Sequence, residues 1–455
     1  MPFIAIDPAT GATIAEYPVL DRAAAMRVVT EVDAAFRAWR ATDFAARAVP
    51  MRHAARLLRE RANVLAELMA REMGKPPGDG RAEVEKCAWV CEYYADNAAA
   101  FLQDEPAPTD ATDSYVTYRP LGPVLAVMPW NFPLWQVFRF VAPALMAGNA
   151  GLLKHAPNVP GCALAIETLL RDAGFPEHLF RNLFIENDLV GEVIDDPRVR
   201  AVTLTGSTRA GRAVAARAGA ALKKTVLELG GSDPYIVLAD ADLELAATTC
   251  VTSRMINGGQ SCISAKRFIV ARSVAEEFKR LVVTAMEALR TGDPFDEATD
   301  YGPMARIDLR DELHRQVEAS VAAGARVLTG AAIPRTPGAF YPPTVLADVA
   351  PGMPAYHEEL FGPVAAIITA EDETDALRIA NDSDYGLGAA VFTADAARGE
   401  DLAARHLEAG ACFVNSFVKS DPRLPFGGIK NSGYGRELSS HGIREFVNVK
   451  AVFRK

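Results

Sequence analysis

A chain of 455 residues, half of them hydrophobic, is too long for one hydrophobic core and predicts two or three domains. Its 58 acidic and 48 basic residues give a net charge of −10 without any basic run, so nucleic acid and anionic membranes are not expected partners. The N-terminal residues show no secretion signal, and four prolines break the most apolar region, 121–153, so we expect no membrane span.

Cysteine and histidine usage points to a reducing compartment and away from metal binding. Six cysteines are scattered over the chain and make no disulfide framework, which predicts a cytoplasmic protein. The seven histidines form no HExxH motif, and no CxxC motif occurs. No metal site is therefore expected.

In chain order, the N-terminal region is predicted to be a strand–turn–strand ribbon followed by helices. Asp21 is the predicted N-cap of the first helix, because apolar residues recur at helical spacing after it. A second helix is predicted over about 45–73, ending at Gly74-Lys-Pro-Pro77. A third is predicted over about 79–102.

From Tyr115 onward, short apolar strands alternate with helices. This alternation predicts a parallel sheet covered on both faces, the architecture in which dinucleotides bind at the carboxyl ends of strands. The predicted strands are 115–119, 124–127, 151–154, 183–185 and 201–204. Thr205-Gly-Ser207 follows the last of them and opens a helix whose N-terminus suits a phosphate. The spacing is not GxGxxG, so an ordinary helix-start turn is the alternative.

Glu228 lies inside an apolar run, Val226-Leu-Glu-Leu-Gly-Gly231. A buried glutamate is unfavourable unless it has a partner or a function. Desolvation raises a carboxyl pKa toward the range that suits a general base. The alternative is a glutamate at a strand edge facing water, which the apolar neighbours disfavour.

Cys262 lies in a small polar loop that follows two glycines, Gly258 and Gly259. The glycines allow a tight turn, and exposed backbone N–H groups near a helix end favour a thiolate, the nucleophilic form of cysteine. The alternative is a small buried thiol, the usual state of a free cysteine. The loop by itself does not separate the two.

The remainder of the chain predicts a second α/β domain. Strands are expected at 268–270, 326–328 and 364–368, with helices between them, and no flexible linker separates this part from the first. A glycine-rich loop at 425–436 precedes a terminal strand at 446–453. Such an edge strand must pair or be covered, and pairing with another subunit is one solution.

Seven motifs occur in the order and spacing of the NAD(P)-dependent aldehyde dehydrogenase superfamily. They are Pro129-Trp-Asn-Phe-Pro133, Lys154, Thr205-Gly-Ser207, Leu227-Glu-Leu-Gly-Gly231, Gly259-Gln-Ser-Cys262, Glu359-Leu-Phe-Gly-Pro363 and Pro425-Phe-Gly-Gly428. The resemblance covers essentially the whole chain. Within the superfamily the chain resembles the short bacterial succinate-semialdehyde dehydrogenases, through Lys154-His-Ala-Pro-Asn158, Glu228-Leu-Gly-Gly-Ser-Asp-Pro234 and Lys419-Ser-Asp-Pro-Arg-Leu-Pro-Phe426.

The resemblance implies an α/β fold with two Rossmann-type open-sheet domains and a small β oligomerisation element. On this basis residues 1–114 and 131–227 form the cofactor-binding domain, and 228–415 form the catalytic domain. Residues 115–130 and 424–455 supply oligomerisation strands, and a homodimer or homotetramer is expected.

The resemblance also implies catalytic roles. Cys262 attacks the aldehyde carbon, and the Asn131 amide and the Cys262 backbone N–H hold the resulting oxyanion. Glu228 activates the water that hydrolyses the thioester. The expected cofactor-binding residues are Trp130, Lys154, Gly206, Ser207, Leu229, Glu359 and Phe361.

The expected cofactor is NADP or NAD, with NADP slightly favoured. Many NAD-specific members carry an acidic residue shortly after the lysine that corresponds to Lys154. Here His155-Ala-Pro157 follows, with no acid. The ribose 2′ position is therefore not guarded against a phosphate.

The expected substrate is a small semialdehyde. Arg139 lies on an apolar helix and needs an anion. The anion is either a core carboxylate or, as the resemblance implies, the distal carboxylate of succinate semialdehyde, with Ser420 adding a hydroxyl. Ile256 stands where some of these enzymes carry a second arginine, which weakens the expected selectivity for chain length.

Three alternatives stay open at this point. The first is a dehydrogenase of another aldehyde, such as glutarate semialdehyde or an aromatic or aliphatic aldehyde. The second is a binding protein that keeps the fold without the chemistry, which the presence of Asn131, Glu228 and Cys262 disfavours. The third is a cysteine hydrolase, which needs a histidine base.

Overall fold

A computed structural model describes all 455 residues, Met1–Lys455. Its N-terminal region is an antiparallel ribbon followed by four helices. These are β1 (Phe3–Ile6), β2 (Thr13–Tyr17), α1 (Arg22–Trp39), α2 (Phe44–Glu60), α3 (Ala62–Met73) and α4 (Pro77–Phe101). The predicted N-cap is confirmed, since the Asp21 carboxylate accepts the Ala24 N–H. The single helix predicted over 45–73 is wrong, because the backbone leaves the helical region at Arg61 (φ −99°, ψ 10°).

The next part of the chain builds most of a six-stranded sheet. Its elements are β3 (Glu105–Pro106), β4 (Asp113–Pro120), β5 (Pro123–Met128), α5 (Trp135–Met146), β6 (Ala150–His155), α6 (Pro160–Asp172), β7 (Phe180–Asn182), α7 (Asn187–Asp195), β8 (Ala201–Thr205), α8 (Thr208–Ala220) and β9 (Lys224–Glu228). Strands β5 to β9 are parallel, as the alternating pattern predicts. The strand predicted at 183–185 lies at 180–182 instead.

The following part builds a seven-stranded sheet. Its elements are β10 (Pro234–Val237), α9 (Leu243–Met255), β11 (Arg267–Ala271), α10 (Ala275–Glu287), α11 (Ile307–Ala322), β12 (Arg326–Thr329), β13 (Thr344–Ala347), α12 (Pro354–His357), β14 (Val364–Ala370), α13 (Glu373–Asn381), β15 (Tyr385–Gly386), β16 (Gly388–Phe392), α14 (Ala396–Asp401) and β17 (Ala411–Val414). The strand order is β12-β13-β14-β11-β10-β16-β17. Only β12 runs antiparallel to its neighbour.

The C-terminal part returns to the first half of the molecule. It comprises β18 (Ile429–Lys430), β19 (Gly433–Tyr434), α15 (Ser439–Glu445) and β20 (Val447–Arg454). Strand β19 pairs with β9 and completes the six-stranded order β19-β9-β8-β5-β6-β7. Strand β20 pairs along its whole length with β4 in a separate three-stranded sheet, β20-β4-β3.

These pairings correct the predicted boundaries of the oligomerisation segments. The sequence places residues 123–128 in such a segment, but they form β5 inside the six-stranded sheet. Residues 433–434 also belong to that sheet. Of the residues in and next to the predicted oligomerisation segments, 105–106, 113–120 and 447–454 form a separate three-stranded sheet, and 429–430 pairs with 385–386 in a two-stranded one.

The buried apolar residues follow the same division. The N-terminal helices and the six-stranded sheet share one continuous core. The seven-stranded sheet has a core on each face, since Ile236 and Ile269 belong to one cluster and Val237 and Val270 to the other. Both large sheets are thus covered on both sides, which is the predicted α/β architecture. No helix combines the length and apolar character that crossing a membrane requires.

Candidate active site

The loop that carries Cys262 connects α9 to β11 and begins with a short 3-10 helix at Ile256–Gly259. Gly258 and Gly259 adopt positive φ values of 61° and 77°, so the predicted tight turn is confirmed. A Cβ atom on Gly259 would lie 2.1 Å from the Gly362 carbonyl oxygen, which leaves room for glycine only. The Cys262 side chain at the end of this turn is partly exposed.

Two cavities meet at Cys262. We call the first the lysine cavity; it has a volume of about 280 Å³ and is lined by Lys75, Asp79, Ala82, Glu83, Lys86, Phe132, Trp135, Gln136, Arg139, Ile256, Asn257, Ser261, Cys262, Ile263, Phe417, Val418, Lys419, Ser420 and Phe426. We call the second the glycine cleft; its volume is about 260 Å³ and its lining is Pro129, Trp130, Asn131, Gln136, Thr205, Gly206, Ser207, Leu229, Gly230, Cys262, Leu309, Glu359 and Phe361. Cys262 and Gln136 line both, so a group in either cavity reaches the same sulfur.

The loop before α5 is tied directly to the cysteine loop. The Asn131 Nδ2 donates a hydrogen bond of 3.1 Å to the Gln260 carbonyl oxygen. In return the Asn257 Nδ2 donates one of 2.8 Å to the Asn131 carbonyl oxygen. These two bonds fix the Asn131 amide beside the peptide that leads to Cys262, and the second N–H of the amide stays available to an oxyanion.

A buried ion pair supports the same loop from below. Lys75 and Glu83 form a salt bridge with side chains 1% and 3% exposed. Lys75 Nζ also donates to the Asn131 carbonyl oxygen at 3.1 Å, and Glu83 Oε1 accepts the backbone N–H groups of Leu134 and Trp135, both at 2.9 Å. Glu83 therefore fixes the start of α5. The sequence does not predict this role, because Lys75, the partner of Glu83, is recognisable there only as part of a helix stop.

Electrostatics at Cys262 favour the protonated thiol at rest. Exclusion of water by the surrounding protein raises the pKa of the Cys262 thiol to about 12, and Lys266 and Arg139 oppose this rise. Lys266 Nζ donates to the carbonyl oxygens of Ser261 and Cys262, at 2.9 and 2.7 Å. Attack by this sulfur on a substrate therefore requires the loss of a proton.

Glu228 ends β9 with its carboxylate inside the protein. It is 2% exposed, so the alternative of a glutamate facing water is wrong. Neither carboxylate oxygen has a hydrogen-bond partner. Burial, and then the charge of Glu437, raises the pKa of Glu228 well above its ordinary value, while Arg139 opposes the rise. A carboxyl with a raised pKa holds its proton to a higher pH than an exposed glutamate does, so its carboxylate is a stronger base.

The sequence predicts that Arg139 binds either a core carboxylate or the carboxylate of the substrate, and the structure supplies a core carboxylate. Its guanidinium forms an ion pair with Glu437, and both side chains are buried. Arg139 Nη2 also donates to Thr205 Oγ1 at 3.3 Å, and the guanidinium lies 4.7 Å from the centre of the Phe426 ring. The side chain still lines the lysine cavity. The sequence does not identify Glu437 as this partner, because it follows a glycine-rich loop far along the chain from Arg139.

Ser420 lies in the same cavity as Arg139 and Cys262. It is buried, and its hydroxyl oxygen accepts a hydrogen bond of 2.7 Å from Lys86 Nζ. Ile256 also lines this cavity, so the position of the missing second arginine faces it.

Six of the seven residues predicted to bind a dinucleotide line the glycine cleft. The cleft follows the carboxyl ends of β5, β8 and β9, which is where ligands bind in parallel sheets. Ser207 caps α8 by accepting the Ala210 N–H, and Glu359 accepts the Gly231 N–H at 3.0 Å. The rings of Trp130 and Phe361 meet edge to face at 5.8 Å.

Lys154, the seventh, lies near the end of β6 and is 7% exposed, and its side chain makes no hydrogen bond or ion pair. Burial lowers the pKa of this lysine. A Cβ atom on Gly206 would have only Leu204 within 4 Å, so the helix start leaves room for a ligand. An unpaired lysine side chain, the Ser207 hydroxyl hydrogen and an open helix N-terminus together fit the ribose and phosphates of a dinucleotide.

His155 holds the loop after β5 as a neutral imidazole. Burial lowers the pKa of His155 to about 4. Its Nε2 donates to the Pro133 carbonyl oxygen at 2.9 Å, and its Nδ1 accepts the Ala156 N–H at the same distance. Both ring nitrogens are thus engaged in structure.

Comparison with known proteins agrees with this geometry. The model of the aldehyde dehydrogenase family matches residues 2–452. The chain is 50% identical over 451 residues to the succinate semialdehyde dehydrogenase [NAD(P)+] of Escherichia coli, covering 99% of this chain and 97% of that protein. It is also 50% identical to a probable succinate-semialdehyde dehydrogenase [NADP(+)] of Synechocystis, with full coverage of both. The crystal structure of succinic semialdehyde dehydrogenase from Streptococcus pyogenes in complex with NADP+ superimposes with a TM-score of 0.97, at 38% identity and 99% coverage of both chains.

Proposed function

We propose that this chain, which belongs to the aldehyde dehydrogenase family, oxidises succinate semialdehyde to succinate with NADP+ or NAD+. The observation that carries the proposal is the position of Cys262, which lines both the lysine cavity and the glycine cleft. An aldehyde in the first and a dinucleotide in the second meet at this sulfur. The names of the relatives described above support the choice of substrate.

In the first half of the reaction, the Cys262 sulfur bonds to the aldehyde carbon and the thiol proton passes to solvent water. The carbonyl oxygen becomes an oxyanion, for which the Asn131 amide and the Cys262 backbone N–H are the donors. Each such donor is worth about 3–4 kcal/mol in the transition state. When bound, the nicotinamide ring supplies the acceptor for the hydride that leaves the thiohemiacetal carbon, and Cys262 is then held in a thioester.

In the second half, water attacks the thioester carbon and Glu228 takes a proton from it. The carbon–sulfur bond breaks, the carboxylate product departs, and Cys262 regains its thiol proton. The elevated pKa of Glu228 suits this task, because it makes the carboxylate a stronger base than an exposed glutamate. The absence of a hydrogen-bond partner leaves both Glu228 oxygens free for water.

For the cofactor we propose NADP+ as the slightly favoured acceptor and NAD+ as an alternative. No carboxylate follows Lys154 within His155-Ala-Pro157, and the nearby charge that acts on Lys154 comes from Glu186, on a different part of the chain. Lys154 is an unpaired cation nearby. For the roles of the cleft residues, the proposal assigns Lys154 and Ser207 to the ribose and phosphates, and Glu359 to the nicotinamide ribose.

The distal carboxylate of the substrate is proposed to lie in the lysine cavity, near Arg139 and Ser420. A cavity that holds several cations and one free hydroxyl suits a short chain with a negative end. Because Glu437 already balances the charge of Arg139, this arginine acts as a hydrogen-bond donor within a neutral pair.

Steady-state kinetics test the proposal. With wild-type protein, kcat/KM is expected to be higher for succinate semialdehyde than for glutarate semialdehyde and butanal, with either cofactor. A comparison of NADP+ and NAD+ at fixed aldehyde tests the cofactor assignment. A higher kcat/KM for butanal than for succinate semialdehyde contradicts the substrate assignment, and no turnover of any aldehyde contradicts the whole proposal.

Assembly as a homodimer or homotetramer and a cytoplasmic location complete the proposal. Strand β20 is the outer strand of the three-stranded sheet, and its Val449 and Phe453 are 61% and 53% exposed. An uncovered strand with apolar side chains suits contact with a second copy. All six cysteines are free thiols, which suits a reducing compartment. Light scattering of the purified protein tests the assembly, and a monomeric mass contradicts it.

A further inference from the structure

Lys86 is a cation in the lysine cavity without a counter-ion. It projects from α4, and its Nζ donates a hydrogen bond of 2.7 Å to Ser420 Oγ. The same nitrogen lies 4.3 Å from the centre of the Trp135 ring. No carboxylate oxygen lies within ion-pair distance of it, although its side chain is largely enclosed. A partly buried ammonium without an anion is unfavourable unless a ligand supplies one.

The other buried cations of this cavity are already paired. Lys75 is bound to Glu83, and Arg139 to Glu437. An incoming carboxylate must compete with Glu437 for Arg139, whereas it meets Lys86 as a free charge. The hydroxyl of Ser420 accepts from Lys86, so its own hydrogen is free to donate to the same carboxylate.

We propose that Lys86 is the specificity-determining cation that binds the distal carboxylate of the semialdehyde, with the Ser420 hydroxyl as second donor. This inference rests on the proposed function. On this proposal Lys86, which lines the same cavity as Ile256, supplies the positive charge that an arginine at position 256 would otherwise provide. Arg139, paired with Glu437, then forms part of the cavity wall. Lys86 supplies the net positive charge that favours an aldehyde with a carboxylate over a neutral aldehyde.

The surroundings of Lys86 give this role a pH dependence. Burial lowers the pKa of Lys86 to about 8, with Arg139 acting in the same direction. Cys87, Glu83 and Asp421 oppose that decrease. Lys86 is therefore charged below about pH 8 and loses its charge above it. The affinity for a carboxylate substrate should fall as the pH rises through this value, while the affinity for a neutral aldehyde of equal length should not.

The experiment compares succinate semialdehyde with its methyl ester, which keeps the chain and removes the charge. In Lys86→Met, kcat/KM for the acid is expected to fall roughly 10- to 100-fold, the value of one charged hydrogen bond, and mostly through KM. For the ester it is expected to change less than about threefold. The rise of KM above pH 8 should disappear, and Lys86→Arg should recover part of the loss.

Lys419→Met is the matched comparison, because Lys419 lines the same cavity but is exposed. Equal losses in Lys86→Met and Lys419→Met would show a general effect of positive charge and overturn the proposal. Equal losses for acid and ester in Lys86→Met would show a structural role and also overturn it. If wild-type protein does not prefer the acid to the ester, the proposed function itself fails; if it does and Lys86→Met keeps that preference, only this inference fails.

Discussion

Glu83 and Glu228 are both buried glutamates of the active-site region, and they differ in how their charge is met. Glu83 is bound by Lys75 and by two backbone N–H groups at the start of α5. Glu228 has no hydrogen-bond partner on either oxygen. A fully bound carboxylate holds its neighbours in place, whereas an unbound one retains the capacity to take a proton.

The cations of the lysine cavity show the same contrast. Arg139 is paired with Glu437, and Lys86 has no anion. In this cavity Arg139 is part of the wall as a paired group, whereas Lys86 presents an unpaired charge. This division predicts which substitutions affect folding and which affect chemistry.

The largest expected effect comes from the sulfur between the two cavities. Cys262→Ala should lower the rate of NADPH formation by roughly 10⁴-fold or more, because removing the nucleophile removes the covalent route. The melting temperature should stay close to that of the wild type. Undiminished NADPH formation would show that Cys262 is not the nucleophile.

Glu228→Gln should separate the two halves of the reaction. Steady-state turnover is expected to fall roughly 10²- to 10⁴-fold, the usual contribution of a general base. The first turnover should survive as a burst of NADPH seen by stopped-flow absorbance, because hydride loss precedes hydrolysis. Loss of the burst together with turnover would place Glu228 before the thioester instead.

Glu83→Gln should mainly lower the free energy of unfolding. Breaking a buried pair typically lowers the free energy of unfolding by about 3–5 kcal/mol, since it leaves Lys75 buried without a partner. The control is Glu67→Gln, which breaks the pair of Glu67 with Arg71, two half-exposed side chains 2.8 Å apart. Its expected effect is below about 1 kcal/mol. Equal denaturation midpoints for the two variants would contradict the contrast.

The pH dependence of thioester hydrolysis should report the raised pKa of Glu228. Burial raises the pKa of Glu228, so the folded protein holds this proton more tightly than the unfolded chain does. The stability that Glu228 contributes is therefore present at low pH and lost as the pH rises through the elevated pKa, while the rate of hydrolysis rises over the same range. The pH dependence of the hydrolysis rate is measured by following the single-turnover decay of the thioester at a series of pH values. A midpoint near about 4.3, the ordinary value for glutamate, would contradict it.

How far the sequence predicts this site depends on how local each interaction is. Glu228 and Cys262 were found because an apolar run and a pair of glycines surround them in the chain itself. The strand pattern predicted both sheets, because hydrophobic alternation is also a local property. The seven motifs then supplied Asn131 and the residues of the glycine cleft through resemblance.

The partners of the charged groups were not predictable in this way. Lys75 and Asn131 are 56 residues apart, and Lys86 and Ser420 are 334 apart. Nothing in a single sequence shows that such residues meet, because only the packing of the folded chain brings them together. For the same reason the sequence suggested an anion for Arg139 without identifying Glu437.

The most direct test of the account is to trap the acyl group in Glu228→Gln. The variant is mixed with succinate semialdehyde and NADP+, quenched in acid, digested and examined by mass spectrometry. A succinyl thioester is expected on the peptide that contains Cys262, accumulating to about one per active site and absent when NADP+ is omitted. An unmodified Cys262 after a full burst of NADPH, or a succinyl group on another residue, would contradict it.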